Sequence, residues 1–242
     1  MTTAIAIAIA LAAAGACGDH RAGRASSEDT AEMRDPPKIK LRPVATDALC
    51  VTKGEVRIGE RVTQPTVRAF ARDTSGDAAA LTFVYRGATE HERALASGDD
   101  RRQLGLKLRA ANGCNLVYVM WRLDPRPQLD ISVKYNPGMA THEECGATGY
   151  KKVTRAAHGS VPPLRIGERH TLHAEIHGDE LTVWIDERPA WRGTLPGHAR
   201  ALSGPAGLRS DNLAFDLVAF SAAPGATNTS PTERRCRAGD SE

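Results

Sequence analysis

The stretch HTLHAEIHGDELTVWID, residues 170–186, decides how the rest of the chain is read. Leu172, Ala174 and Ile176 alternate with His173, Glu175 and His177, and then Leu181, Val183 and Ile185 alternate with Thr182, Trp184 and Asp186. A period of two puts every second side chain on one face, so each half is a strand with one buried side. Gly178-Asp179 between the halves is a tight-turn pair, which makes the whole a β-hairpin. Glu187-Arg188-Pro189 turns the chain again, and 190–195 predicts a further strand.

The same period appears upstream. Residues 103–109 place Leu104, Leu106 and Leu108 on one face and Gln103, Lys107 and Arg109 on the other. Asn112-Gly113 is a turn, and 115–123 is apolar on both faces, as a central strand would be. After Pro125 and Pro127, residues 128–136 alternate Leu129, Ile131, Val133 and Tyr135 with Gln128, Asp130, Ser132, Lys134 and Asn136. Shorter strands are predicted at 54–58, 64–71, 80–86 and 213–220. About ten to twelve strands at this spacing, with no internal repeat and almost no helix, predict an all-β, antiparallel two-sheet sandwich of the jelly-roll kind.

Composition limits the function classes. The 242 residues are 41% hydrophobic and 25% charged, ordinary globular usage that excludes a mostly disordered chain. Net charge is +3, from 32 basic and 29 acidic residues, too balanced for a dedicated nucleic-acid binder. With aromatics at 5%, any surface that stacks on sugars has few rings to use.

Two segments carry a resemblance. HTLHAEIHGDELTVWIDERPAWRGTLP (170–196), followed by GPAGLRSDNLAFDLVAFSA (204–222), resembles the C-terminal half of a concanavalin A-like, laminin G-type jelly roll. The turn at Asp186-Glu187-Arg188 lacks the glycine usual in that superfamily. The resemblance implies the fold and leaves the activity open, since the superfamily holds lectins, glycan-binding modules, hydrolases and polysaccharide lyases.

The N-terminus supplies an address. Residues 4–16 form an apolar run, about 13 residues long, with no charge before Asp19. At ~1.5 Å per residue it is too short to span a ~30 Å hydrocarbon core and matches the apolar region of a secretory signal. Ala14-Gly15-Ala16 before Cys17 resembles a bacterial lipobox, although Ala14 stands where Leu is usual and the first residues lack Lys or Arg. The expected organisation is a signal at 1–16, lipidated Cys17 with a flexible tether to 45, a folded domain at 46–221 and a C-terminal tail at 222–242. The membrane, through that anchor, is one expected partner, and the expected location is the bacterial cell envelope, facing periplasm or exterior. The other four cysteines form an even set in an oxidising compartment. They allow three pairings. Cys50 and Cys236 flank the domain while Cys114 and Cys145 lie close in sequence, which favours Cys50–Cys236 and Cys114–Cys145.

Catalytic and metal motifs are sparse. His142-Glu143-Glu144 lacks the second histidine of H-E-x-x-H and reads as a loop, and His173, Glu175 and His177 read as a solvated sheet face. Ser210-Asp211-Asn212 offers oxygens but too few for calcium. No metal and no cofactor is therefore expected. There is no G-x-S-x-G, and no paired carboxylates flank a groove strand as glycoside hydrolysis needs. The strongest candidate is the shared polar side of three strands: Gln103, Lys107, Arg109, Tyr118, Arg122 and Lys134 should line one exposed surface, floored over a core of Leu104, Leu106, Leu108, Val117, Val119, Trp121, Ile131 and Val133. Arg clasps a carboxylate with two bonds and Tyr stacks on a sugar ring, so an acidic polysaccharide is the expected partner. The pattern is similar to alginate-lyase-type jelly rolls but has no histidine on these strands. The alternatives are a lyase or sugar-processing hydrolase on the same fold, or a structural envelope protein. Because the lipid would supply most of the anchoring energy, Cys17→Ala should move the protein from the membrane to the soluble fraction, read by fractionation and immunoblot.

Overall fold

Alternation at period two runs through most of the chain from Arg42 to Pro224, and nearly every alternating stretch forms a strand. The computed structural model describes residues 38–95 and 97–225. In chain order the strands are β1 (Arg42–Pro43), β2 (Leu49–Lys53), β3 (Arg61–Val62), β4 (Thr66–Ala71), β5 (Thr74–Ala88), β6 (Gln103–Asn112), β7 (Asn115–Arg122) and β8 (Gln128–Lys134). After one helical turn, α1 (His142–Cys145), come β9 (Tyr150–Lys152), β10 (Ala157–His158), β11 (Arg169–His177), β12 (Glu180–Ile185), β13 (Arg188–Thr194), β14 (Gly207–Asp211) and β15 (Leu213–Pro224). They form two antiparallel sheets. An eight-stranded sheet runs β1-β15-β5-β11-β12-β13-β10 with β3 also on β15, and a seven-stranded sheet runs β2-β4-β14-β6-β7-β8-β9. The protein is a two-sheet jelly-roll sandwich.

The core between the sheets has the register the sequence predicts. Leu104, Leu106, Leu108, Val117, Val119, Trp121, Ile131 and Val133 all join it, as do Leu172, Ala174, Ile176, Leu181, Val183 and Ile185 from the hairpin. Trp121 is fully buried and meets Phe83 edge-on at 5.9 Å between ring centroids. In the hairpin β11–β12, His177 pairs with Glu180 across a two-residue turn in which Gly178 has φ +63°. Between β12 and β13 both turn residues, Asp186 (φ +50°) and Glu187 (φ +67°), take the left-handed region without glycine. Asp186 compensates by binding locally, accepting from the Thr171 amide at 2.7 Å and meeting His170 Nδ1 at 2.7 Å.

Several expectations are corrected. Residues 38–45 were expected in a tether, yet Arg42 and Pro43 pair with Ala222 and Ser221, and β15 runs on to Pro224, past the expected limit at 221. Residues 54–58 form no strand, because Gly54 turns the chain at φ +68°. Residues 142–145 are helical, since the Glu144 carboxylate accepts the amides of Thr141 and Ala140 ahead of the turn. The polar face of β11 is not solvated. Glu175 is 0% exposed, hydrogen-bonded to His177 Nε2 (2.9 Å), with His173 Nε2 3.0 Å away, and covered by the chain at Ile39, whose amide donates to both its oxygens at 3.1 Å. Burial lowers the His173 imidazole below its ordinary value, against the opposing pull of the Glu175 carboxylate. The Cys114–Cys145 disulfide is present. Cys50 is buried on β2, whereas its expected partner Cys236, the signal, Cys17 and most of the tether lie outside the described residues. Among the described residues no helix is long and apolar enough to cross a membrane.

Leu106 sits at 0% exposure in mid-strand between β14 and β7. Leu106→Ala should cost about 2–5 kcal/mol, the range for a buried large-to-small change, read as a lower urea midpoint at unchanged slope.

Candidate functional site

On the side of the seven-stranded sheet away from the core, alternation presents Arg68 on β4, Arg209 and Asp211 on β14, Gln103 on β6, Tyr118 and Met120 on β7, and Asp130, Ser132 and Lys134 on β8. These residues floor a cavity of about 390 Å³. One wall is the segment before β6, carrying Arg93, Leu95 and Arg101. Asn212 fastens it: the Asn212 carbonyl oxygen accepts from the Arg93 amide at 2.7 Å, and its amide nitrogen donates to the carbonyls of Arg93 and Arg101. The facing wall is α1 and the residues after it, His142, Gly146 and Ala147, held to the β6–β7 turn by Cys114–Cys145.

A buried ion cluster organises the floor. Asp211 is 1% exposed, and its carboxylate accepts from Arg68 at 2.6 Å, Arg209 Nε at 2.8 Å and Gln103 Nε2 at 2.8 Å. Burial alone would raise the Asp211 carboxyl, but Arg209 and Arg68 outweigh it and hold it at about 2. Burial likewise works to lower Arg209, yet Asp211 raises it well above its ordinary value, so Arg209 is a permanent cation. Arg68 also donates to the carbonyls of Val67 and Ser210. Arg209 spends only its Nε on Asp211. Among the described residues nothing is bonded to its two terminal nitrogens, so its outer edge can grip an anion with two bonds.

Close approach of the neighbouring strand to β6 requires a missing side chain. Gly105 stands between Arg209 and Met120 in register across β14, β6 and β7. A Cβ there would lie 2.0 Å from the Val119 carbonyl oxygen, so only glycine fits. Arg209 lies with Cζ 5.1 Å from the centre of the Tyr118 ring, and Tyr118 stacks on Tyr150 at 6.0 Å and 23°. Tyr150, on β9, is 42% exposed, one of few large apolar side chains so open. Lys134 Nζ lies 5.1 Å from the Tyr150 ring and donates to the Gly146 and Gly113 carbonyls, tying the α1 wall to β8. Seven cationic side chains line the cavity against two carboxylates, Asp130 and Asp211.

The six residues expected to form one exposed surface divide. Gln103, Tyr118 and Lys134 line the cavity. Arg122 lies beside it, 4.0 Å from Asp130. Lys107 is on the same side but 0% exposed, its Nζ over the Phe70 ring at 4.1 Å, so it is part of the support and not of the surface. Arg109 leaves altogether. The β6–β7 register breaks between Leu108 and Asn112, and Arg109 takes φ +46°. Its guanidinium then meets Asp77 at 2.6 Å and the carbonyls of Gly178 and Ala199, in a separate cavity at the edge of the sandwich. A bulge re-aims a side chain in this way, and alternation alone cannot foresee it. Ser210, Asp211 and Asn212 are interior side chains at the end of β14 and do not form an open loop.

Sequence reasoning missed Arg209 and Tyr150, as it did Arg68, and weighed Asp211 and His142 only as metal ligands. For Arg209 and Asp211 the signal was present: in GLRSD they alternate with Leu208 and Ser210. His142 and Tyr150 come from a loop whose path the disulfide sets.

No protein-family model matches the chain, and no curated protein matches it in sequence. In three dimensions it is similar to a carbohydrate-binding module, CBM66, from Bacillus subtilis, at 11% identity and TM-score 0.49 over 72% of this chain and 96% of that one. It is also similar to the galectin LEC-6 of Caenorhabditis elegans (9%, TM-score 0.39, covering 69% and 98%) and to a tetrameric galectin from the sponge Cinachyrella (14%, TM-score 0.41, covering 66% and 99%). At these identities the likeness concerns the fold, and what this chain binds must be argued from its own side chains.

The Asp211 carboxyl is depressed on folding, so its contribution to stability is present above the unfolded value near 4 and is lost as pH falls towards 2. Asp211→Asn should therefore cost at least about 2 kcal/mol at neutral pH, and the gap to the wild type should close between pH ~4 and ~2, read by denaturant melts across that range.

Proposed function

We propose that this protein binds an acidic glycan on the outer face of its seven-stranded sheet, as a lipid-anchored protein of the bacterial cell envelope. The observation that carries the glycan reading is the pairing, in one cavity, of a permanent cation with an unspent edge and an exposed aromatic platform. Arg209 presents two terminal nitrogens to a carboxylate, and Tyr150, backed by Tyr118, presents a ring face to the apolar side of a sugar. Gln103, whose amide nitrogen is committed to Asp211, has a carbonyl oxygen to offer a hydroxyl, and Ser132 and Asp130 add further acceptors. An anion of another class would need the cations but not the acceptors or the ring. The envelope and lipid-anchor reading rests on the N-terminal sequence, and the Cys17→Ala fractionation tests it.

One observation favours a second reading. His142 and Tyr150 line the same cavity as Gln103 and Arg209, which is a set able to perform β-elimination on a uronate. Arg209 would neutralise the carboxylate. One of His142 and Tyr150 would take the proton from the carbon next to it, and the other would protonate the leaving glycosidic oxygen as that bond breaks and a ring double bond forms. Incubation with polyuronate decides between the two readings: new ultraviolet absorbance from unsaturated chain ends would make the protein a lyase.

For binding, calorimetry against uronate-rich and neutral oligosaccharides should show affinity for the acidic ones only, falling with added salt. Tyr150→Ala should weaken it roughly tenfold, about 1.4 kcal/mol, and Arg209→Lys by a similar factor, because lysine keeps the charge but loses the two-pronged grip. Equal affinity for neutral glycans, unmoved by salt or by Arg209→Lys, would refute the assignment.

A further inference from the structure

The second cavity, of about 370 Å³, lies where the start of β5, the bulged end of β6, the β11–β12 turn and the residues after β13 come together. Two ion pairs line it. Arg109 donates from Nε to Asp77 at 2.6 Å, and Arg200 donates from Nε and Nη2 to the two oxygens of Asp179. Arg109 also ties the pairs to one frame. Its Nη2 donates to the carbonyl of Gly178, the residue before Asp179, at 3.3 Å, and its Nη1 to that of Ala199, the residue before Arg200, at 3.4 Å. Two anions and two cations thus share the cavity, and its net charge is zero.

The backbone is strained to bring Arg109 there. Its φ of +46° lies in the left-handed region that a residue with a Cβ seldom adopts, inside the break of register between Leu108 and Asn112. Packing enforces this conformation. A Cβ on Gly76 would lie 2.0 Å from the Arg109 amide nitrogen, and one on Gly204 would lie 2.3 Å from the Ala110 carbonyl oxygen, so both neighbours approach main chain to main chain. The Gly76 amide donates to the Gly204 carbonyl at 2.8 Å, and the Ala110 amide to the Pro205 carbonyl at 3.1 Å, which closes the frame around the bulge. Strain of this kind persists only where the surroundings over-determine it, and it gathers at binding sites.

A carboxylate can accept about four hydrogen bonds, and a guanidinium can donate about five. Among the described residues Asp77 accepts from Arg109 and from Ser75 Oγ at 2.9 Å, Asp179 accepts from Arg200, and nothing bonds to Arg200 Nη1. Both kinds of group therefore have bonds left to give. A lone anion drawn to Arg200 would meet Asp179 beside it, and a lone cation drawn to Asp77 would meet Arg109. A molecule that carries both charges answers both pairs at once. Among the described residues no aromatic ring lines the cavity, so such a molecule is held by its charges and not by stacking. We propose that this cavity binds a small zwitterion, a free α-amino acid with a small or polar side chain. Its carboxylate adds to Arg200 and to the outer edge of Arg109, its ammonium adds to Asp77 and Asp179, and Ser203 offers a hydroxyl to a polar side chain. The site is separate from the glycan cavity and does not depend on it.

The whole protein is titrated with glycine, alanine and serine while its amide resonances are followed by NMR. Saturable shifts should centre on Gly76, Gly178 and Gly204, with dissociation constants in the millimolar range or below. Acetate and methylammonium, which carry a single charge, should bind at least about tenfold more weakly, the worth of a lost charge-assisted contact. N-acetylglycine and glycinamide, each missing one of the two charges, should be weakened as much. Asp77→Asn and Arg200→Gln should each weaken glycine by a similar factor. Their side chains are 44% and 70% exposed, so neither change threatens the fold. No saturable shift with any of the three amino acids would overturn the inference, as would shifts gathered in the glycan cavity instead. Acetate binding as tightly as glycine would overturn it by making this an anion site. Glycerol binding as tightly would overturn it too, since hydroxyls alone would then be what is read.

Discussion

One carboxylate holds the outer face of the seven-stranded sheet together. Asp211 is buried between two guanidiniums and an amide, on the strand that lies between β4 and β6. Without it Arg209 would be a buried charge that has lost its carboxylate, a state that costs several kcal/mol. With it, Arg68 is locked into backbone carbonyls and Arg209 is left half-committed, its Nε fixed and its outer edge turned to the cavity. The next residue, Asn212, holds the Arg93–Arg101 wall through three hydrogen bonds. Floor and wall are thus set by adjacent residues at the end of a central strand, which is how a binding surface becomes rigid before any ligand arrives.

The opposite wall is kept by a different device. The segment with α1 and β9 carries little apolar surface, and its attachment is covalent and polar: Cys114–Cys145, Lys134 to the Gly146 and Gly113 carbonyls, and Asn136 to the Thr148 and Cys114 carbonyls. A loop with few buried apolar contacts opens easily unless it is tied. Here the ties place Tyr150 and His142 over the floor, so the same bonds that stabilise the loop also complete the site. The reverse face of the molecule has its own fastening. Glu175, flanked by His173 and His177, accepts the Ile39 amide and secures the chain on its way into β1. The chain at Ile39 is thus held to the eight-stranded sheet, whereas the cavity lies on the seven-stranded one.

How much of this was legible in the sequence depends on the range of the interaction involved. Alternation at period two is a local property, and it correctly assigned every core residue expected on β6, β7 and β8, because shifting a strand by one residue would expose its whole apolar set. The same rule put Gln103, Tyr118 and Lys134 on the cavity side and would have added Arg209 and Asp211 had GLRSD been read by alternation as well as by resemblance. It failed at Arg109, where a bulge and a left-handed backbone carry the side chain to another surface, and at Lys107 and Glu175, which alternation puts on a polar face while neighbouring side chains or the N-terminal segment bury them.

By itself, then, the sequence determined the all-β sandwich, its core and the face on which a site could form, since each of these follows from the spacing of apolar residues along a single strand. Only the tertiary structure decided which polar residues meet. Arg68, Gln103, Arg209 and Asp211 come from three strands scattered over more than a hundred positions of chain, and Tyr150 and His142 from a loop whose course a disulfide settles. Their encounter depends on strand order and cross-strand register, which no local pattern encodes.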